Sequence, residues 1–183
     1  MAGTFVTFEG GEGTGKSTQL KLLAATLAAS YGVYGPAYEL GENRPREPQS
    51  EEYLDSEKYQ LRHWDRSRPD SLAALMTRLN ELRRGHVAMQ SNTSLCFHPT
   101  DNETLLAYSK QQGNDRVLVV VNLDPHHPQS GFVSVDLARL GMEPGAAYQV
   151  RDALTGATYT WQGSRNYVRL DPAHTPAHLF AIT

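Results

Sequence analysis

The residues with the clearest chemical potential lie near the start of the chain, in Phe5-Val-Thr-Phe-Glu-Gly-Gly-Glu-Gly-Thr-Gly-Lys-Ser-Thr-Gln19. An apolar, β-prone run ends at Glu9. Gly10, four residues, Gly15, Lys16 and Ser17 then follow at the spacing of a phosphate-cradling P-loop. Backbone N–H groups must wrap a polyphosphate closely, and side chains would obstruct them. The expected nest is Gly10, Gly11, Glu12, Gly13, Thr14, Gly15, Lys16, Ser17 and Thr18. Lys16 would reach the terminal phosphates and Ser17 would hold Mg²⁺, so ATP with Mg²⁺ is the cofactor this stretch implies. A helix opening at Lys16 would aim its positive end at the anion. A glycine-rich turn that only joins strand to helix is the plainer alternative; the full spacing favours the phosphate loop.

Other reactive types are less well placed. Glu42, Glu47, Glu51, Glu52 and Asp55 sit in a charged, proline-broken segment over 41–56, where nothing apolar would raise a carboxyl pKa, so a solvated loop is expected. His126-His127 and His174/His178 suggest metal ligands, but Pro176 interrupts the second pair and no further ligand is evident. Turn and surface roles are expected for them. Cys96, the single cysteine, lies in Ser-Leu-Cys-Phe-His and reads as a strand filler; it cannot form an internal disulfide, which fits a reducing cytoplasm.

The elements that must position these residues differ along the chain. With 183 residues, 39% of them apolar and 20% charged, a real core is possible. A net charge of −3 without a long basic run argues against nucleic acid or an anionic membrane as partner. No signal peptide is read before the first strand and no apolar run is long enough to cross a bilayer, so a soluble, cytoplasmic protein is expected. A helix should run from Lys16 through Ala29 to about Gly32, and a short strand over 33–40 is broken by Gly35-Pro36. Residues 57–65 set aromatics among charges, as suits a surface lining a cleft. Leu72, Leu75, Met76, Leu79 and Leu82 then recur at helical spacing, with Asp70 or Ser71 as cap and Arg83-Arg84-Gly85 as the stop. From Gln90 onward the texture is β: runs at 94–98, 104–110, 116–123, 131–136, 148–151, 158–162, 167–170 and 178–182, separated by turns. This predicts an antiparallel sandwich or barrel, with a domain boundary near 85–91.

Two resemblances cover different parts of the chain. Phe5–Gln19 resembles the nucleotide-binding opening of the thymidylate kinase family, a likeness that spans residues 3 to about 24. Such a kinase also needs an Asp-Arg motif. Asp65-Arg66 is the nearest match, but it precedes Ser-Arg-Pro at a helix entrance and reads as coincidence. Val117-Leu-Val-Val-Val-Asn-Leu-Asp124 mimics a Walker-B strand, yet its antiparallel neighbours make it a core strand. The longer resemblance is to the end of the α-1,4-glucan:maltose-1-phosphate maltosyltransferase family. It is carried by Leu23–Leu40, Ser50–Tyr59, Arg62-His-Trp-Asp65 and Arg68–Leu72, then by Val117–Gly131, Tyr159-Thr-Trp161 and Asn166-Tyr167.

That second likeness implies a fold and a chemistry. The expected class is α+β: a strand, P-loop and helix start over 1–22, the last β/α unit of a (β/α)8 barrel over 23–88, and an antiparallel β-sandwich over 89–183. It implies a retaining transfer with an aspartate nucleophile and a glutamate acid/base. Both lie upstream of the piece present, so no catalytic residue is assigned here. Lys58-Tyr59 matches the family's pair that holds the phosphate of maltose 1-phosphate, a role a lysine charge and a phenolic donor suit. The implied partners are a sugar phosphate and an α-glucan, without a cofactor, in an intact enzyme expected to be a homodimer. One barrel strand cannot close a barrel, so the chain is expected to be inactive alone. The two resemblances meet inside Gln19–Ala28 in a common helical phase, which reads as a chimera of natural or artificial origin. Two alternatives stand beside the transferase fragment: a P-loop kinase binding ATP, and a non-catalytic glucan-associated β-module. In the latter, Tyr159, Trp161 and Tyr167 would stack on sugar, although core packing is the commoner use of such rings.

Overall fold

The computed structural model describes residues 23, 25–32, 39–41, 44–48, 61 and 63–183. The phosphate loop at 10–18, the Lys58-Tyr59 pair and most of the strand expected over 33–40 lie outside the described residues. At the end of that expected strand, Glu39 is helical and Leu40 is in a turn. Both ends of Glu39 are used there. Its carbonyl accepts from Leu72 N at 2.9 Å, and its carboxylate accepts from Ser71 Oγ at 3.1 Å.

Helix α1 covers Ala73–Gly85 and buries Leu79 and Leu82, as the leucine spacing predicts. Its start uses one of the two expected caps, displaced by one residue. Leu72 occupies the N-cap position without a side-chain cap bond, while Ser71 Oγ accepts from Ala73 N at 3.2 Å. Asp70 instead pairs with Arg68 on the surface. The Leu72 amide meets the Glu39 carbonyl, so a tertiary bond and the local Ser71–Ala73 bond together fix the entrance. Arg83 and Arg84 occupy the last turn, where cations suit the helix dipole. A short 3₁₀ helix, Val87–Gln90, follows and buries Ala88 and Met89.

All eight β-prone runs are strands: β1 (Cys96–His98), β2 (Leu105–Gln112), β3 (Asp115–Asn122), β4 (Gln129–Ser134), β5 (Ala147–Asp152), β6 (Thr158–Gln162), β7 (Arg165–Leu170) and β8 (Ala177–Ile182). Six form one antiparallel sheet in the order β1-β2-β3-β8-β5-β6, and β4 pairs with β7 in a separate two-stranded sheet. The burial pattern explains the sequence texture. β5 and β7 alternate exposed and buried residues, whereas β3 and β8 are buried almost throughout. These two strands are central and carry a core on each face. Between the sheets lie Leu118, Val120, Val133, Trp161, Leu170 and Phe180. On the outer face of the six-stranded sheet, Tyr108, Val119 and Leu179 pack on Leu23, Leu79 and Met89 of the helical segments.

Gly131 shows how closely β4 approaches the start of β2. A Cβ there would sit 2.7 Å from Asp101 Oδ1 and 3.1 Å from Asn102 Cβ. Asp101 is held in turn by Phe132 N and Arg165, so the space is not freely given up.

Phe180 is 1% exposed and lies among the rings of Tyr159, Trp161 and His178. Phe180→Ala is expected to lower the unfolding free energy by about 3–5 kcal/mol, read from urea denaturation.

Candidate functional site

Polar groups concentrate first where the helical segments meet the six-stranded sheet. Tyr108, fully buried on β2, has its hydroxyl hydrogen-bonded to Thr26 Oγ1. Burial raises the Tyr108 pKa well above its ordinary value. Residues 25–27 are helical, and the Arg83 guanidinium closes the end of that turn. It donates to the carbonyls of Ala25, Ala28 and Ala29, the last two at 2.7 and 2.6 Å. It also lies 4.8 Å from the Tyr31 ring centroid, and Tyr31 OH donates to Asn80 Oδ1 at 2.6 Å. An open cavity beside α1 is lined by Asn80, Arg83, Arg84 and Gln90, but Arg83 and Gln90 are already bonded to backbone carbonyls. These contacts anchor; they do not assemble reacting groups.

Lys110 lies on the same face of β2, 2% exposed, with Nζ donating to Asn92 Oδ1 at 2.9 Å. Burial first, and the nearby Arg83 charge second, lower its pKa to about 8.

A second concentration lies at the β8 end of the sandwich. Asp152 is fully buried, and its Oδ2 accepts from His178 Nδ1 at 2.9 Å and Thr155 Oγ1 at 2.7 Å. Its Oδ1 accepts from Leu154 N and Leu179 N. Burial alone would push the carboxyl pKa up; the hydrogen bonds outweigh it and the net shift is downward. His178 stacks on Phe180 at 4.7 Å, so this dyad ties the β5–β6 turn to β8. Buried on β8, His178 departs from the turn or surface role expected for it, whereas His127 and His174 keep that role. His127 Nδ1 meets Asp124 at 3.0 Å and His174 Nδ1 meets Asp171 at 3.3 Å, each within a turn. The His126 amide, before other donors, holds Asp124 near a pKa of about 2. His98 Nδ1 accepts from Asp136 N, so Nε2 carries the proton and bonds Ser109 Oγ at 2.8 Å. Asp65 of the Asp65-Arg66 pair accepts from Ser67 N and Oγ and so closes a turn. Among the described residues, no group of three or more His, Cys, Asp and Glu side chains is placed to hold a metal ion. No described helix is long and apolar enough to cross a membrane.

The three aromatic candidates separate. Trp161 is 8% exposed and belongs to the core between the sheets. Tyr159 and Tyr167 are 44% and 55% exposed. Tyr167 stands on the outer face of β7, directly opposite Phe132 of β4, with centroids 5.5 Å apart at 68°. The Arg165 guanidinium covers the Phe132 ring at 3.7 Å and pairs with Asp101 at 3.0 Å. Asp101 also accepts from Phe132 N at 2.6 Å. Sequence reasoning missed Phe132, Arg165 and Asp101. Alternation along Arg165-Asn-Tyr-Val-Arg-Leu170 does put Arg165, Tyr167 and Arg169 on one face, but nothing local names β4 as the partner strand.

Residues 97–182 match the family described as "GLGE, C-terminal". The chain is 52% identical over 165 residues to the alpha-1,4-glucan:maltose-1-phosphate maltosyltransferase 1 of Streptomyces coelicolor, covering 88% of this chain and 24% of that protein. It is 42% identical over 164 residues to the maltosyltransferase of Methylacidiphilum infernorum, with the same coverages of 88% and 24%. The chain therefore spans about a quarter of the length of these relatives. An Anoxybacillus α-amylase superposes over 89% of this chain and 32% of its own, with a TM-score of 0.58 at 15% identity, a likeness of fold. The maltosyltransferase resemblance read from the sequence is supported over most of the chain.

Lys110 makes a pH prediction. The folded chain releases this proton near pH 8, whereas the unfolded chain releases it near 10.5, so in between the unfolded state binds more protons and stability rises with pH. Lys110→Met is expected to remove that rise and to raise stability below pH 8. Urea unfolding curves of both proteins across this range check it; parallel pH profiles would contradict it.

Proposed function

We propose that this chain is the C-terminal part of a transferase that moves maltosyl units from maltose 1-phosphate to α-1,4-glucans. The observation that carries the reading is 52% identity over 165 residues to a protein of that name. Catalysis in such an enzyme proceeds by double displacement. An aspartate attacks the anomeric carbon and phosphate leaves; a glucan hydroxyl then displaces the aspartate, with a glutamate handling the protons. By the resemblance these carboxylates belong to the upstream barrel. The share left to this chain is Lys58-Tyr59, whose ammonium and phenol would hold the departing phosphate. The β-sandwich would brace the barrel's last helices through Tyr108, Arg83 and the outer core, and the intact enzyme would pair as a homodimer.

A second reading rests on the spacing Gly10–Ser17, which favours ATP with Mg²⁺. Lys16 would contact the terminal phosphates, and Ser17 would hold the ion. The two readings involve different residues of one chain.

Calorimetric titration separates them. Maltose 1-phosphate is expected to bind weakly and to lose that binding in Lys58→Ala, with no phosphate release on adding a glucan. Phosphate release above the Lys58→Ala control would place catalysis within this chain. ATP–Mg²⁺ binding lost in Lys16→Ala would support the second reading.

A further inference from the structure

The outer face of the β4–β7 sheet has a built aromatic centre that no anchoring role uses. Tyr167 is 55% exposed on a strand whose other face feeds Val168 and Leu170 to the core. Its ring is held by an ordered chain: Phe132 meets it edge-on at 5.5 Å, Arg165 caps Phe132 at 3.7 Å, and Asp101 holds Arg165 at 3.0 Å. Asp101 is itself fixed by Phe132 N at 2.6 Å. Because Arg165 covers Phe132, Tyr167 is the ring with a face left to offer. Its hydroxyl makes no hydrogen bond among the described residues. The helical segments pack on the far side of the six-stranded sheet, so among the described residues nothing covers this face.

The surroundings select the occupant. Arg165 is neutralised by Asp101, and Arg169 lies close enough to Asp171 to lower its pKa, so the face holds little net charge for an anion. Ser130 and Ser134 flank Phe132 at two-residue spacing on β4, opposite Arg169 and Arg165. A single fixed ring rimmed by hydroxyls and guanidinium donors is too polar for an apolar protein face. It complements a pyranose, whose C–H face is apolar and electropositive while its edge is hydroxyls. A ring already immobilised loses little freedom on binding.

We propose that Tyr167, supported by Phe132, Arg165 and Asp101, is an accessory binding site for a neutral α-1,4-glucan chain, placed on the sandwich face away from the helical segments. This deepens the glucan-transferase reading and rests on it. The site would hold acceptor polymer near the enzyme without touching the reacting atoms.

The test titrates maltoheptaose into the ¹⁵N-labelled 183-residue chain. Amide shifts are expected at Phe132, Arg165, Tyr167 and their strand neighbours. Shifts elsewhere only, or none, would overturn the proposal. Tyr167→Ala is expected to weaken binding about tenfold, while Tyr167→Phe keeps most of it. Unchanged affinity in Tyr167→Ala would also overturn it, and the wild-type shift map decides the matter if that variant does not fold. Concentration-dependent broadening of the same amides without sugar would make the face a self-association surface instead. A parallel maltose 1-phosphate titration of wild type and Lys58→Ala tells failure of this site apart from failure of the transferase reading.

Discussion

The pairing of β8 between β3 and β5 is the contact on which the described structure depends. Val117–Val121 of β3 pair with Ala177–Ala181, and Val150–Asp152 of β5 pair with Phe180–Ile182. β8 is the last strand in the chain, yet it is central in the sheet. Phe180 and Ile182 face the inter-sheet core, while Ala177 and Leu179 face the helices. Without it the sheet falls into a β1–β2–β3 piece and a β5–β6 hairpin, each with an open edge and half a core. The Asp152–His178 pair locks this insertion at its weakest point, where β5 runs out into a turn. Four hydrogen bonds to one buried carboxylate satisfy a charge that would otherwise be costly to bury.

The outer core follows a different rule. Its apolar part, Leu79, Met89, Val119 and Leu179, would accept many helix orientations, because hydrophobic contact has little direction. The polar contacts remove that freedom. Thr26 must meet the Tyr108 hydroxyl, and Arg83 must find the carbonyls of Ala25, Ala28 and Ala29. Each is unfavourable to bury unpaired, so only one docking geometry satisfies all of them. Lys110 shows the cost of such a polar seam: one side-chain acceptor, Asn92, serves a buried ammonium that burial drives towards neutrality. The result is a sheet with one face committed to the helical part of the chain and a second layer, β4–β7, turned away from it.

Much of this was legible in the sequence where one physical signal acted alone. Alternation marks β5 and β7, and an unbroken apolar run marks β3, because two-sided burial leaves no polar side. Leucine spacing marks α1. The signals failed where two residues far apart in sequence compete for one group. Asp70 and Ser71 are both good caps, but Asp70 pairs with Arg68, Ser71 serves the Ala73 amide, and the Leu72 amide goes to the distant Glu39. Trp161 and Tyr159 sit two apart on one strand face and differ in exposure only because Trp161 lies deeper in the sandwich. The Phe132–Tyr167 pair needs the β4–β7 register, which the alternation of either strand cannot supply. Lys58-Tyr59 and Gly10–Ser17 rest on motif and resemblance alone, since the described residues do not include them.

The carboxylates of the sandwich are put to structural use. It contains six aspartates, and every one accepts a backbone N–H: Asp101 from Phe132, Asp115 from Ala88, Asp124 from His126, Asp136 from Arg139, Asp152 from Leu154 and Asp171 from Ala173. Such bonds favour the ionised form, and Asp124, Asp152 and Asp171 are all shifted downward. A retaining glycosyl transfer needs the opposite in one partner, a carboxyl kept protonated beside a second that attacks. Asp124, Asp136, Asp152 and Asp171 hold turns, Asp101 and Asp115 tie distant segments together, and the two glutamates, Glu103 and Glu143, stand exposed on the surface. The acids of the sandwich are therefore all hydrogen-bonded or solvated, a disposition suited to bracing the fold.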